Sequence, residues 1–264
     1  MVDEVRPEGE LLSICGQEAR HISRVLRLGP GDRLILVDKK GERVLARVES
    51  AGMQEVVVSI QCALESPFAS PAEITLCQAL LRSGPMDFVI QKATELGVSQ
   101  IVPFFSERTV IKPDENGLAN KGRRWEEIAR SATKQSDRDR PPKIFSPLPF
   151  SDLLARYKTG DSMKLILWEG EDRQDLKAIL REDSSRNRTI CGIVGPEGGF
   201  AAAEIDAARS AGFIPVSMGQ RILRAETASI AFVAVLQYEW GDLGQRSEVG
   251  GQRSAKEEGE KVRR

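Results

Sequence analysis

Across Ser66-Pro67-Phe68-Ala69-Ser70-Pro71 the hydrophobic rhythm of the chain changes, and this change constrains the fold more than any other feature. Upstream, short runs of alternating apolar residues at 11–14, 33–37, 43–48 and 55–60 are separated by Gly29-Pro30-Gly31-Asp32, Lys39-Lys40-Gly41-Glu42 and Ser50-Ala51-Gly52. Alternation bounded by turn residues marks strands with one buried face. One helical piece near 18–26 interrupts them, and a small β-barrel domain over 1–68 is expected, followed by a linker at 66–71. Downstream, apolar runs suited to buried parallel strands (72–80, 101–105, 163–168, 189–194, 214–217) alternate with helical spacing at 86–96, 123–135, 203–211 and 225–240. Gly97 and Gly212 stand where helix C-caps belong. The alternation predicts an α/β domain over 72–243, with helices on both faces of a parallel sheet. The Gly- and charge-rich stretch 244–264 has almost no large apolar residue and reads as a disordered tail.

At 264 residues the chain has material for both cores. No apolar run approaches the ~18–20 residues of a membrane span. The acidic start Met1-Val2-Asp3-Glu4-Val5 lacks a signal-peptide layout. Four scattered cysteines without a C-x-x-C fit reduced thiols, so a cytoplasmic location is expected. His21 is the only histidine, which excludes a His-rich metal site and makes any Ser-His-Asp or Cys-His chemistry depend on it alone. No metal is expected. The formal net charge of -1 hides local asymmetry. Residues 20–47 carry Arg20, Arg24, Arg27, Arg33, Lys39, Lys40, Arg43 and Arg47 against Asp32, Asp38 and Glu42, and 121–143 carry eight basic against four acidic side chains. Such excess is the footprint of phosphate contact; its plainer reading is a set of solvated faces. Arg20, Arg24 and Arg27, spaced by four and three, would share one helical face.

Two glycine loops carry the chemistry. Val194-Gly195-Pro196-Glu197-Gly198-Gly199-Phe200 lies between a strand and a helix, where glycines let the backbone approach a ligand and the helix offers free N–H groups. The spacing is not G-x-G-x-x-G, and no Gly-Lys-Ser/Thr follows, so a dinucleotide fold and a P-loop are disfavoured. The second loop, Met218-Gly219-Gln220-Arg221-Ile222-Leu223-Arg224-Ala225-Glu226-Thr227-Ala228, leaves a strand and enters the longest helix. Read plainly, it is a helix start with Glu226 favoured by the dipole. Two such loops at the ends of neighbouring strands are harder to dismiss.

The two loops resemble the cofactor signatures of the SPOUT methyltransferases, and more narrowly those of the RsmE family of 16S ribosomal RNA uracil-N3 methyltransferases. Gln91-Lys92-Ala93-Thr94-Glu95-Leu96-Gly97-Val98 with Ile101, Pro103 and Ser106-Glu107-Arg108 is similar to that family's central signature. Ala132-Thr133-Lys134-Gln135-Ser136 with Arg138 and Pro141 resembles a fourth stretch, and His21 with Val25-Leu26-Arg27-Leu28 and Gly31-Asp32 an N-terminal one. The chain departs from the pattern at Glu4-Val5-Arg6-Pro7, where an aromatic pair is usual, at Arg82-Ser83-Gly84, at Ser131 and at Met218.

The resemblance implies a SPOUT-type parallel sheet with a deep trefoil knot within about 160–240 and a PUA-like N-terminal β-barrel that assists RNA binding. It implies a homodimer that binds S-adenosyl-L-methionine and methylates N3 of a uridine in 16S rRNA of the small ribosomal subunit. The cofactor would then lie against Trp168, Glu169, Gly195, Pro196, Glu197, Gly198, Gly199, Met218, Gly219, Ile222, Leu223, Arg224 and Thr227, with Ile222 and Leu223 on the adenine. Arg224 or Arg138 would stabilise negative charge on the base, and Glu197 or Glu226 would accept a proton or orient an arginine. Arg6, Arg20, His21, Arg24, Arg27, Lys92 and Arg108 would contact RNA. Three other readings compete: a SPOUT enzyme with another RNA target, a non-catalytic RNA-binding assembly factor, and a nucleotide-dependent oxidoreductase. The intact loops count against the second and the missing dinucleotide fingerprint against the third.

Overall fold

In a computed structural model the protein is described over residues 8–38, 42–64, 70–111, 114–136, 138–171, 174–182 and 188–244. Arg6, Lys39, Lys40, most of the expected linker and the tail beyond 244 lie outside the described residues. Two compact units divide the chain between Ala69 and Ser70.

The first unit comprises β1 (Leu11–Cys15), α1 (Gly16–Arg20), a π-helical turn (His21–Val25), β2 (Arg33–Val37), β3 (Arg43–Ala51) and β4 (Glu55–Leu64). The strands pair antiparallel in the order β1-β4-β3-β2. Alternate side chains point inward, so Leu34, Leu36, Val44, Ala46, Val48, Val56, Val58 and Ile60 bury one face together with Ile14, Ala19, Ile22 and Leu28. The expected helix differs in kind. It widens after Arg20, with the Leu26 N–H donating to the His21 carbonyl, and ends before Arg27, whose φ of 54° is left-handed. Arg20, His21, Arg24 and Arg27 are all exposed, yet Arg27 lies past the helix, so the three arginines do not share one α-helical face. Arg43 is buried, which removes it from the basic patch.

The second unit alternates as expected. Its elements are β5 (Ala72–Ala79), α2 (Ser83–Glu95), β6 (Gln100–Phe105), α3 (Glu115–Gln135), β7 (Lys143–Ile144), β8 (Leu148–Pro149), α4 (Phe150–Tyr157), β9 (Met163–Leu167), α5 (Leu176–Glu182), β10 (Arg188–Val194), α6 (Ala202–Ser210), β11 (Ile214–Val216) and α7 (Ala225–Trp240). All pairings are parallel, in the order β11-β9-β10-β5-β6-β7, with β8 also on β6. Apolar residues of α2, α3, α5 and α7 cover one face of the sheet and those of α4 and α6 the other. Helix α3 starts at Glu115, earlier than the sequence periodicity suggests, because the Asp114 carboxylate caps it by accepting the Gly117 N–H at 2.9 Å.

Strand β11 is bracketed on both sides. Trp168, just past β9, donates its N–H to the Val216 carbonyl, while Ser217 exchanges backbone bonds with Gln174 and Leu176 on the other side. The chain therefore leaves β9, bends, and returns along the far side of β11. Helix α7 then crosses back over the centre of the sheet, where the ring of Phe232 sits directly over Gly192 of β10.

Candidate functional site: a cleft at the carboxyl ends of the strands

A parallel sheet directs the carboxyl ends of its strands, and the N-termini of the following helices, to one edge. Here that edge carries a cleft of about 530 Å³. Trp168 and Glu169 after β9, Val194 to Glu197 with Gly199 and Phe200 at and after the end of β10, and Ser217 to Arg224 after β11 form its walls, closed by Ala225, Glu226 and Ala228 of α7. Arg82 and Pro85 at the start of α2, and Val110 after β6, complete it.

Each loop is held from behind. Gly199, left-handed at φ +67°, donates its N–H to the Pro196 carbonyl at 3.0 Å, and a Cβ there would strike the Glu169 carboxylate. A Cβ on Gly195 would come within 2.9 Å of the Phe200 ring. Gln78, fully buried at the end of β5, donates through Nε2 to the carbonyls of Ala79 (3.0 Å) and Gly195 (3.4 Å) and accepts the Ser229 hydroxyl through Oε1. Ser229 also bonds the Ala225 carbonyl at 2.8 Å, so one amide links both cofactor-type loops to β5. The buried Glu204 carboxylate accepts from Ser106 Oγ and from the N–H groups of Glu107 and Ala201 at 3.0–3.1 Å, fixing the loop after β6 against α6.

Most of the expected site residues meet here: Trp168, Glu169, Gly195, Pro196, Glu197, Gly199, Met218, Gly219, Ile222, Leu223, Arg224 and Glu226 all line the cleft. The others depart for identifiable reasons. Thr227 is exposed and turned away between two lining residues of α7. Gly198 does not line the cleft; its carbonyl accepts Arg108 Nη1 at 3.0 Å, which engages Arg108 in holding the loop. Ile222 stands 88% exposed at the mouth, which leaves the half-buried Leu223 as the inner apolar wall. Glu197 is exposed, and its Oε1 accepts the Arg82 N–H at 3.2 Å, serving the N-terminus of α2.

Arg138 corrects an expectation. Its guanidinium donates to the Thr94 (2.6 Å) and Val98 (3.0 Å) carbonyls, at the end of α2 and ahead of β6, away from the carboxyl edge. Burial pushes its pKa down to about 10, with Asp242, past the far end of α7, opposing that shift. Within one chain Arg138 therefore braces the opposite end of the sheet and does not reach the cleft. Lys92 forms an ion pair with Glu95 at 2.8 Å on its own helix. Among the described residues no three His, Cys, Asp or Glu side chains cluster to hold a metal, and no described helix is long and apolar enough to cross a membrane.

Gln78, Arg82, Val110, Glu204 and Ser229 were not anticipated. Gln78 alone left a signal, as a lone amide inside the apolar run Ile74–Leu81.

An RNA methyltransferase domain model matches residues 69–237, and an RNA methyltransferase PUA domain model matches 14–61. The chain is 28% identical over 234 residues to the ribosomal RNA small subunit methyltransferase E of Bacillus subtilis, covering 88% of this chain and 91% of that protein. It is 31% identical to the protein of the same name from Synechocystis, covering 84% and 71%. The crystal structure of the Neisseria gonorrhoeae ribosomal RNA small subunit methyltransferase E bound to S-adenosyl methionine superposes with a TM-score of 0.78. That match is at 33% identity and covers 91% of this chain and 97% of that one.

Proposed function

This chain belongs to the RNA methyltransferase family of the ribosomal RNA small subunit methyltransferase E type, and from that premise we propose that it methylates N3 of a uridine in 16S rRNA using S-adenosylmethionine. The observation that carries the reading is the single cleft built from three strand-end loops, in a fold shared with a relative solved with that cofactor. The residues present suit the group. A volume of about 530 Å³ is within the range of small-molecule sites. Gly195 and Gly199 present bare backbone to the cleft and are packed from behind by Phe200 and Glu169, and the Glu169 and Glu226 carboxylates complement a cationic ligand.

When bound, the cofactor supplies an electrophilic methyl on a positively charged sulfur. The protein's part is to hold the uracil N3 in line with that methyl, and such alignment contributes ~7–11 kcal/mol to lowering a barrier. The guanidinium of Arg224, on the cleft wall, neutralises the negative charge that builds on the uracil as its N3 proton leaves. Glu226, two residues further on, takes that proton or orients Arg224. Glu197, committed to α2, is the weaker candidate.

Two further features fit the same reading. A knot of the SPOUT type within 160–240 belongs to the same proposal, and the bonding of β11 to β9 on one side and Gln174–Leu176 on the other is compatible with it. Helix α7 carries further apolar residues outside the core, with Ile230, Ala231 and Ala234 half-buried and Tyr238 67% exposed, a face suited to a second copy of the chain. The first unit, with Arg20, His21, Arg24 and Arg27 exposed, would contact RNA of the small subunit in the cytoplasm.

The test is calorimetric titration with S-adenosylmethionine, with NADH as control, followed by nucleoside analysis of small subunits from a strain lacking the modification. Saturable binding and 3-methyluridine are expected. Binding of NADH, or methylation at another base atom, would refute the proposal.

A further inference from the structure

Two large apolar side chains at the mouth of the cleft belong to no core. Val110, from the segment after β6, is 68% exposed, and Ile222, from the loop before α7, is 88% exposed, yet both line the same cavity. The deeper walls include the buried Leu167, Val194 and Val216, at the ends of β9, β10 and β11. An isolated exposed hydrophobe needs no explanation, but two from different loops at one opening form an apolar slot.

Three cations stand in the lining, opposite the carboxylates of Glu169, Glu197 and Glu226. Arg82, Arg221 and Arg224 line the cleft and are exposed, and Arg108 adds a guanidinium behind Gly198. Apolar faces flanked by cations are the recognition chemistry of an unstacked base, whose flat ring takes the apolar contact while its flanking phosphates take the charges. A base paired in a helix cannot present N3 to a cleft, so the target must be extruded or single-stranded.

We infer that Val110 and Ile222 form a clamp that receives the extruded target pyrimidine at the mouth of the cofactor cleft, with Arg82 and Arg221 on its flanking phosphates. This rests on the methyltransferase reading and adds to it a subsite for the RNA, separate from the cofactor walls. The occupant is a single nucleotide swung out of its stack, because the slot is closed below by the cofactor walls and open only toward solvent.

The test compares Val110→Asp and Val110→Ile with the wild type, reading cofactor Kd by calorimetry and steady-state methylation of small subunits. Val110 is mostly exposed, so neither change disturbs the core; melting temperature verifies this. Val110→Asp should leave the cofactor Kd within twofold and lower kcat/KM for small subunits at least tenfold, chiefly through KM. Val110→Ile should retain wild-type kinetics. Wild-type turnover together with an unaffected Val110→Asp overturns the clamp alone, as does a loss of cofactor affinity matching the loss in kcat/KM. A wild type that binds no S-adenosylmethionine overturns the methyltransferase reading, and the clamp falls with it.

Discussion

Gly192→Ala is the perturbation that best probes how the fold sets the cleft. Gly192 lies in the middle of β10, paired with Leu76 on one side and Leu165 on the other, so its backbone cannot retreat. A Cβ there would sit 2.1 Å from one carbon of the Phe232 ring and 2.6 Å from the next, against an ordinary contact of 3.4–4 Å. Phe232 is fully buried, so the ring can move only by pushing α7 off the sheet or leaving its rotamer. Overpacking of this kind costs about 1–3 kcal/mol, less about 0.5 kcal/mol for the glycine entropy removed from the unfolded chain. A net loss of about 1.5 kcal/mol is expected, a fall of roughly 3–6 °C in Tm at this unit's size. Ala225 lies two turns up the same helix, about 10 Å away, so the displacement reaches the cleft wall and should weaken S-adenosylmethionine severalfold. Urea unfolding and cofactor calorimetry on Gly192→Ala, Phe232→Leu and the double variant measure both effects. Relief of the strain by the smaller side chain should make the double variant more stable than the sum of the singles by at least about 1 kcal/mol. Additive singles, or a Gly192→Ala protein within about 0.5 kcal/mol of wild type, would refute the steric argument.

Three other outcomes follow from the same geometry. Gln78→Leu strands the buried Gly195 carbonyl, leaving Ser229 its bond to the Ala225 carbonyl, and should cost about 1–3 kcal/mol while raising the cofactor Kd, whereas Gln78→Glu should recover less than the wild-type amide because a carboxylate cannot donate to Gly195; equal Kd values across the set would remove Gln78 from the positioning role. Arg138→Met deprives two backbone carbonyls of a charged donor and should cost about 1.5–3 kcal/mol in urea unfolding, with cofactor Kd and turnover per folded molecule unchanged; a specific loss of turnover would return Arg138 to the catalytic set. Burial pushes the Cys77 thiol well above its ordinary value, its Sγ lying 3.6 Å from Cys191 Sγ, so the native protein holds Cys77 as the neutral thiol. Maleimide at pH 9 should therefore label the exposed Cys15 and leave Cys77 unlabelled until the protein unfolds; mass-mapped labelling of native Cys77 at pH 9 would contradict this.

The features legible in the sequence were those with a local cause. Helix α7 shows in the sequence as the long, mainly apolar run Ala225–Trp240, and Gly97 and Gly212 follow the ends of their helices with φ of +87°. Where the cause was non-local, the sequence misled. Arg27 was counted on a helical face, but the turn before it widens to five-residue bonding and releases it. The short α4 and α5 show too few turns for a period to emerge, though Leu153, Leu154, Leu176 and Leu180 are among the buried residues of their faces.

The site divides along the same line. Glycine loops announce themselves because each needs its residue type for its own backbone, as Gly199 does at φ +67°. The residues that hold those loops do not, since Gln78 touches Gly195 and Ser229 across separations of 117 and 151 residues. Charge is the most deceptive signal, because an arginine reads alike whether it faces a ligand or a carbonyl. Arg224 lines the cleft, Arg108 holds Gly198, Arg138 braces α2 against β6, and only the positions of their acceptors separate the three. The parallel sheet makes that separation: it gathers the ends of β5, β6, β9, β10 and β11 at one edge, so a basic residue that follows a strand can meet the cleft, while one that precedes a strand is carried to the far side. Arg138 follows α3 and comes before β7, and by that rule alone its guanidinium belongs with the brace.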